Sequence, residues 1–405
     1  MRKVVITGAV RTAVGAYLGG LKTVPAYKLG ALVIEEAIRR GKIEKSDVDQ
    51  VIMGDVLSKT PNLARVSLLL AGLDQSVPGF SVDRQCGSAL QAVVSGSDAI
   101  MAENADIVVA GGAENMSRAP YYLPSECRYQ GFRMNNFQCE DAFSYASSHA
   151  HPAEMFPGLN MGLTAENVAK KYHITRQQQD EFAYDSQMKA AKAQADGKFK
   201  EEILPVEVVT RKSSTIFDRD EHFKPDTTME GLAKLKPAFL RDGTGTVTAG
   251  NASGMNDGAS AVVLMSEEKA KEKGITPLVS VVASATAAVD PSLMGLGPVP
   301  AIQKILKKTG LQLEDIDLFE LNEAFAAQSL GCLIELGMEP GTPLYERVNV
   351  NGGAVAHGHA LGNSGTRILT TLIYELKRRN GRYGIATLCI GGGQGIALLV
   401  ENYQK

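Results

Sequence analysis

Hydrophobic positions along this chain follow two rhythms. Short apolar runs at residues 4–8, 51–54 and 106–111 close on glycine, as strands do before a turn, whereas 26–40 repeats its apolar positions at helical spacing. Their alternation predicts an α/β sheet architecture. The run GFSV at 79–82 reads as another strand and gives way to a helix over 87–102 in which Asp98 is the one charged residue. A helix with no polar face is buried all round.

The pattern occurs twice. KSDVDQVIMGDVL (45–57) has a counterpart in LEDIDLFELNEAF (313–325), and NADIVVAGGAENM (104–116) is echoed by RYGIATLCIGGGQG (382–395). Repetition at this scale predicts two halves of like design. Residues 1–118 with 249–274 form the first, and 275–405 the second. Between them, 119–248 is aromatic, charged and polar, with one strong helix signal from a Thr175 N-cap to a Gly197 stop. This region is expected to be an inserted loop domain covering one face of the core, its basic residues available to an anionic ligand.

Composition narrows the class. With 44% hydrophobic and 21% charged residues and a net charge of −3, the chain has core material for a globular fold. It has no field that would gather nucleic acid or an anionic membrane. No stretch approaches the ~20 apolar residues of a membrane span, and the N-terminus runs into a strand-like segment without an apolar leader. A soluble, cytoplasmic protein with a small-molecule partner is expected. The five cysteines, 86, 127, 139, 332 and 389, form no CxxC and no zinc pairs, so no metal is expected and a reducing compartment fits.

Cys86 stands where strand becomes helix. Free amides and the peptide dipoles at a helix start stabilise a thiolate, so its pKa is expected to fall below the ~8.5 of free cysteine. A free cysteine is more often a small buried hydrophobe, and this stretch alone leaves both readings open. NVNGGAVAHGHALGNSG brings His357 and His359 into a glycine-rich loop ahead of a helix capped by Ser364. An H-x-H pair without further ligands suits general-base work better than metal. Cys389 ends a strand and is followed by GGGQG and another strand. That is no dinucleotide fingerprint, which needs a helix next; it reads equally as a structural strand cysteine or as an exposed sulfur beside amides able to bind an oxyanion. Asn322 opens NEAF and could donate to developing charge.

Taken together, QCGSALQA, NEAFAAQ, NVNGGAVAHGHALGNSG and LCIGGGQG, in this order, resemble the thiolase family, and the similarity extends through GLTAENVAKKY, GTVTAGNASGMNDGA and VDPSLMGLGPVPA. The resemblance implies two duplicated βαβαβαββ halves packed in layers, an inserted loop domain, and assembly as a homodimer or homotetramer. It implies acetyl-CoA C-acetyltransferase activity on coenzyme A thioesters, with no cofactor. Cys86 would carry the acetyl group, His359 activate it, and Cys389 move the α-proton of the second acyl-CoA. Asn322 would hold a water that forms one oxyanion site with His359, and the amides of Cys86 and Gly391 would form the other. Ser253 would lie near the pantetheine and Lys224 near the nucleotide phosphates. Met161, Met294 and Phe325 would surround the acyl group. The register Gly358-His359-Ala360-Leu361-Gly362 gives the catalytic position to His359 and leaves His357 behind it.

The chain departs from the family pattern in places. Asn160 stands where short-chain members carry histidine, so its contact to a thioester oxygen is expected to be weaker. Asp83 replaces the common asparagine and would oppose thiolate formation unless paired with Arg84. Lys224 keeps the charge of an arginine without its fork. Ala89 and Ala360 replace glycine and proline. Alternatives are a degradative 3-ketoacyl-CoA thiolase for longer chains and a non-catalytic acyl-CoA-binding relative. A ketosynthase, with one cysteine and two histidines, fits less well.

Overall fold

The computed structural model describes every residue except 1, 59, 133, 135, 136, 212 and 405. Nine strands form the backbone of one large sheet: β1 Val4–Thr12, β2 Gln50–Gly54, β3 Gly79–Val82, β4 Ile107–Asn115, β5 Asn256–Ser266, β6 Val279–Ala288, β7 Leu318–Leu321, β8 Tyr383–Ile390 and β9 Gln394–Asn402. Their spatial order is β7-β8-β9-β6-β1-β5-β4-β2-β3. The helices that cover them are α1 Ala26–Arg40, α2 Leu63–Leu70, α3 Ser88–Met101, α4 Met161–Lys171, α5 Arg176–Ala195, α6 Pro298–Thr309, α7 Ala326–Leu336 and α8 Ser364–Arg379.

Side-chain alternation along the strands explains the layering. On β1, Val5 and Val10 face a core shared with Leu29, Val33 and Leu68 of α1 and α2, while Val4, Ile6 and Ala9 face the opposite way. On β9, Ala397 and Leu399 meet Ile302 of α6 and Leu333 of α7, while Ile396, Leu398 and Val400 turn to the other side. Those inward faces share a single middle core with Leu90 and Val93 of α3 and Leu369 and Leu372 of α8. The order is therefore helix, sheet, paired helices, sheet, helix. It accounts for the missing polar face of α3, which lies between the two halves of the sheet.

The internal repeat is visible in local structure. Each half has a short 3-10 turn, Lys45–Asp47 or Leu313–Asp315, fixed by a reciprocal capping box before its strand. Each then has a parallel pair, β2 with β4 and β7 with β8. Between β4 and β5 the chain leaves the sheet to form α4, α5 and small two-stranded ribbons. Thr175 caps α5 with its side chain, and Gly197 lies just past its end with φ +71°. Val168, Ala169 and Phe182 of this region join the outer core of the second half, which seats α4 and α5 there. No described helix is long and apolar enough to cross a membrane.

Candidate active site

The site grows from two strand ends, one in each half. After β3 the chain turns so sharply into α3 that Gln85 takes φ +47°. A non-glycine residue in that region costs about 1–2 kcal/mol. Hydrogen bonds hold the turn: the amides of Gly87 and Ser88 donate to Arg84 and Gln85 carbonyls at 3.0 Å, and the Ser88 hydroxyl donates to the Gln85 carbonyl at 2.6 Å. This strained strand-to-helix turn packs Cys86, half-buried, against a small apolar cluster of Val56, Leu57, Met116, Ala142 and Leu361.

From the other half, β8 delivers Cys389 beside Met294 and Ala324, with Met161 and Phe325 packed against them. The β8–β9 hairpin then turns through Gly392 and Gly393 at φ near +80°. Its first glycine aims the Gly391 amide at the Cys86 sulfur. Cys86 and Cys389 lie close enough for the charge of one to act on the other.

Two sequence-based expectations about the thiols are corrected. Cys86 is not acidified. Burial pushes its thiol up to about 11, against the opposing amides of Gly391 and Cys86 itself, and Asp83 adds to the rise. The helix mouth is real, but loss of water outweighs it. Nor does Arg84 pair with Asp83: its side chain turns to Gln91, while Asp83 accepts from the Gln85 amide at 2.9 Å. Cys389, expected at an exposed position, is fully buried, and its thiol is raised by burial first and by Cys86 second.

His359 presents an open ring nitrogen. Its amide donates to Asn256 Oδ1 at 3.0 Å, and its Nδ1 lies 2.7 Å from Ser364 Oγ. The Ser364 hydroxyl donates to the Ala360 carbonyl at 2.9 Å, which leaves its oxygen as the acceptor for an Nδ1–H. That assigns the tautomer. Nε2 is a bare lone pair, buried and without a partner among the described residues. Burial, with Arg367 next, drives the imidazole down to about 3, so it is neutral at physiological pH. Ser364 was expected as the helix N-cap, but Asn363 holds that position and the serine orients the histidine instead.

His357 is also buried, but it is committed elsewhere. Its Nε2 bonds the Asn351 carbonyl at 2.9 Å and its Nδ1 lies 3.5 Å from Asp220. Burial would raise Asp220, yet Arg11, bonded at 2.7 and 2.9 Å, holds it well below the usual carboxylate range.

Asn322 follows β7 with both polar atoms of its side-chain amide buried and unpaired among the described residues. Each such group costs about 1–3 kcal/mol, which marks the amide as a group that meets a ligand or its water. Two buried carboxylates that sequence reading missed fix the surroundings. Glu323 accepts from Ser186 (2.7 Å), Asn349 (2.8 Å) and the Val355 amide (3.1 Å), which ties the NEAF turn to the segment before His359. Glu114 accepts from the amides of Val56, Leu57 and Gly362, at 3.0 Å for the last, which binds the histidine loop to the first half. The loop passes so close that a methyl on Gly112 would lie 1.8 Å from the Gly362 carbonyl.

The expected coenzyme A residues differ in burial and in what they contact. The Ser253 hydroxyl donates to the Ala324 carbonyl at 3.0 Å, pinning the NASG loop to NEAF. Asn160 caps α4 through the Leu163 amide at 3.1 Å, so its side-chain oxygen is engaged. Met161, the first residue of that helix, and the buried Met294 pack with Cys389, and Phe325 stands edge-on to Phe239. Lys224 is exposed, and its amide donates to Gln187. Among the described residues, no three His, Cys, Asp or Glu side chains cluster as a metal site would.

Comparison with known proteins agrees in extent. Residues 4–268 match the description "Thiolase, N-terminal domain" and residues 275–402 match "Thiolase, C-terminal domain". The chain is 50% identical to the acetyl-CoA acetyltransferase of Escherichia coli K12 over 407 aligned residues, and 49% identical to that of Cupriavidus necator, with 99% or more of each chain covered. Among solved structures, the Bacillus anthracis acetyl-CoA acetyltransferase superposes with a TM-score of 0.93 at 45% identity. Human mitochondrial 3-ketoacyl-CoA thiolase gives 0.92 at 42% identity, and both cover 99% of each chain.

Proposed function

This chain belongs to the thiolase family, and we propose that it is an acetyl-CoA C-acetyltransferase, joining two acetyl-CoA into acetoacetyl-CoA and free CoA and running the reverse thiolysis. The observation that carries this is the Nε2 lone pair of His359, held bare by Ser364 in a site where two thiols from opposite halves meet. As Cys86 sulfur attacks the thioester carbonyl, Nε2 takes its proton and later gives it to the departing CoA sulfur. Burial disfavours a preformed thiolate–imidazolium pair, so the proton moves during attack rather than before it. The amides of Cys86 and Gly391 hold the tetrahedral oxyanion, each such donor typically mattering by ~10²–10³ in rate.

Condensation needs a base at the α-carbon. Cys389 as thiolate takes that proton. The enolate carbon then bonds to the acetyl carbonyl on Cys86, whose sulfur leaves as thiolate. Asn322, through a water, and His359 face the enolate oxygen. A proton passing from Cys389 to Cys86 resets the pair. Burial and the nearness of Cys86 disfavour ionising both sulfurs, so the pair carries at most one negative charge during condensation: on Cys389 until it takes the α-proton, and on Cys86 once its sulfur leaves.

Met161, Met294 and Phe325 around Cys389 support a two-carbon acyl group. The engaged Asn160 favours a second reading, a degradative enzyme for longer 3-ketoacyl-CoA. Thiolysis kinetics with acetoacetyl-CoA and a six-carbon 3-ketoacyl-CoA decide between them. Higher kcat/KM on the four-carbon substrate supports the first reading, and the reverse order overturns it. We propose Ser253 for the pantetheine and Lys224 for the phosphates; the pinning of the NASG loop to NEAF supports the first and the exposed charge of Lys224 the second. We propose a cytoplasmic homodimer or homotetramer. The edge position of β3, with one strand neighbour among the described residues, supports pairing between copies, and sedimentation velocity tests it.

A further inference from the structure

We infer that His151 is a positioning residue for acyl-chain length: it clasps a loop whose two ends form opposite walls of the acyl site. The inference rests on the function proposed above and adds to it a group outside the reacting set.

The His151 ring is buried, and its Nε2 lies 3.1 Å from the Leu159 carbonyl. Only an Nε2–H can donate there, so the bond closes the neck of a loop. Residues 152–158 bulge outward from that neck, all exposed except the half-buried Phe156, whose ring stands edge-on to the imidazole at 5.7 Å.

What the neck holds apart is the acyl site. Just before it, Ala150 lies against the hairpin glycines: a methyl on Gly391 would come within 3.3 Å of Ala150 Cβ, and one on Gly392 within 2.5 Å of its carbonyl. Gly391 is the residue whose amide reaches Cys86. Just after it, Leu159 leads through the Asn160 cap into Met161, which packs with Cys389 and Met294. The Met161 amide also reaches back to Ser147 Oγ at 3.4 Å. One wall therefore stands on the Cys86 side and the other on the Cys389 side, and the His151–Leu159 bond fixes their separation.

The remaining nitrogen supports a specific role. Nδ1 of His151 is buried without a partner among the described residues. A phenylalanine of similar shape would fill the volume without burying an unpaired nitrogen, so packing alone does not account for histidine here. The donor does.

The test compares His151→Phe, which keeps the ring and loses the donor, His151→Gln, which keeps a donor, and Ala150→Gly, which lowers one wall directly. The readouts are acetylation of Cys86 by acetyl-CoA and the ratio of kcat/KM for a six-carbon 3-ketoacyl-CoA to that for acetoacetyl-CoA. All three variants should acetylate. His151→Phe and Ala150→Gly should raise the ratio by about tenfold, the scale of methylene discrimination, and His151→Gln should stay near the parent. Should His151→Phe fail to fold, Ala150→Gly carries the test. An unchanged ratio in the folded variants, even with a lowered melting temperature, overturns the inference. Absence of an acetyl adduct in the parent protein would instead overturn the function it rests on.

Discussion

His359 Nδ1 and Ser364 Oγ stand 2.7 Å apart, and the serine's own proton is already given to the Ala360 carbonyl. The hydroxyl can only accept, so the imidazole must carry its proton on Nδ1 and keep Nε2 open. A residue one helical turn from solvent-free Arg367 thereby decides which end of the histidine is a base.

Removing that acceptor should release the tautomer while leaving the imidazole in place. Ser364→Ala is expected to slow acetylation of Cys86 by roughly 10–100-fold, less than the ~10²–10⁴ loss expected of His359→Ala. Rapid-quench single-turnover acetylation measures both. A parental rate in Ser364→Ala would show that the ring is oriented by something else.

The pH behaviour follows from a neutral thiol and a neutral imidazole. With Cys86 at about 11 and His359 at about 3, neither titrates between pH 5 and 9 in the free enzyme, so the single-turnover acetylation rate should be flat there. A bell within that range would indicate a preformed thiolate–imidazolium pair. The same histidine bears on stability. Its folded pKa lies below the ordinary value of 6.5, so the unfolded chain binds more protons between pH 6.5 and 3. Its contribution is present above pH 6.5 and is lost as the pH falls toward 3.

Glu320 gives the opposite slope. Burial raises its carboxyl to about 8 from 4.5, against the charge of Arg367. The folded state therefore holds a proton that the unfolded chain has released, and this stability is complete below pH 4.5 and lost as pH rises through 8. Glu320→Gln, neutral at every pH, should melt progressively above the parent protein as pH goes from 5 to 9, by on the order of a few kcal/mol at the alkaline end. Melting curves that keep a constant offset would show that Glu320 is ionised throughout.

Much of this was legible in the sequence, for identifiable reasons. Periodicity located α1, and the lack of a polar face on α3 marked a helix buried all round, because burial leaves a mark at every position. The Gly358-His359 register set His359 apart from His357, and the structure leaves His359 Nε2 open while tying His357 to Asn351 and Asp220. What the sequence hid was desolvation and long-range pairing. Cys86 looked acidified because a helix mouth is a local feature, while the apolar cluster it packs against draws on residues as distant as Val56, Ala142 and Leu361. Glu114 and Gly362 are 248 positions apart, and Glu323 gathers Ser186, Asn349 and Val355, so no local pattern marks either carboxylate. Ser364 looked like a cap because serine at a helix start usually is one.

The central claim is that two sulfurs divide the work, one holding the acyl group and the other moving a proton. Intact-protein and peptide mass spectrometry after mixing with acetyl-CoA tests it most directly. The account predicts one acetyl group on Cys86, absent in Cys86→Ser, and present in Cys389→Ala alongside a failure to form acetoacetyl-CoA. An adduct mapped to Cys389, or equal loss of acetylation and condensation in Cys389→Ala, would contradict it.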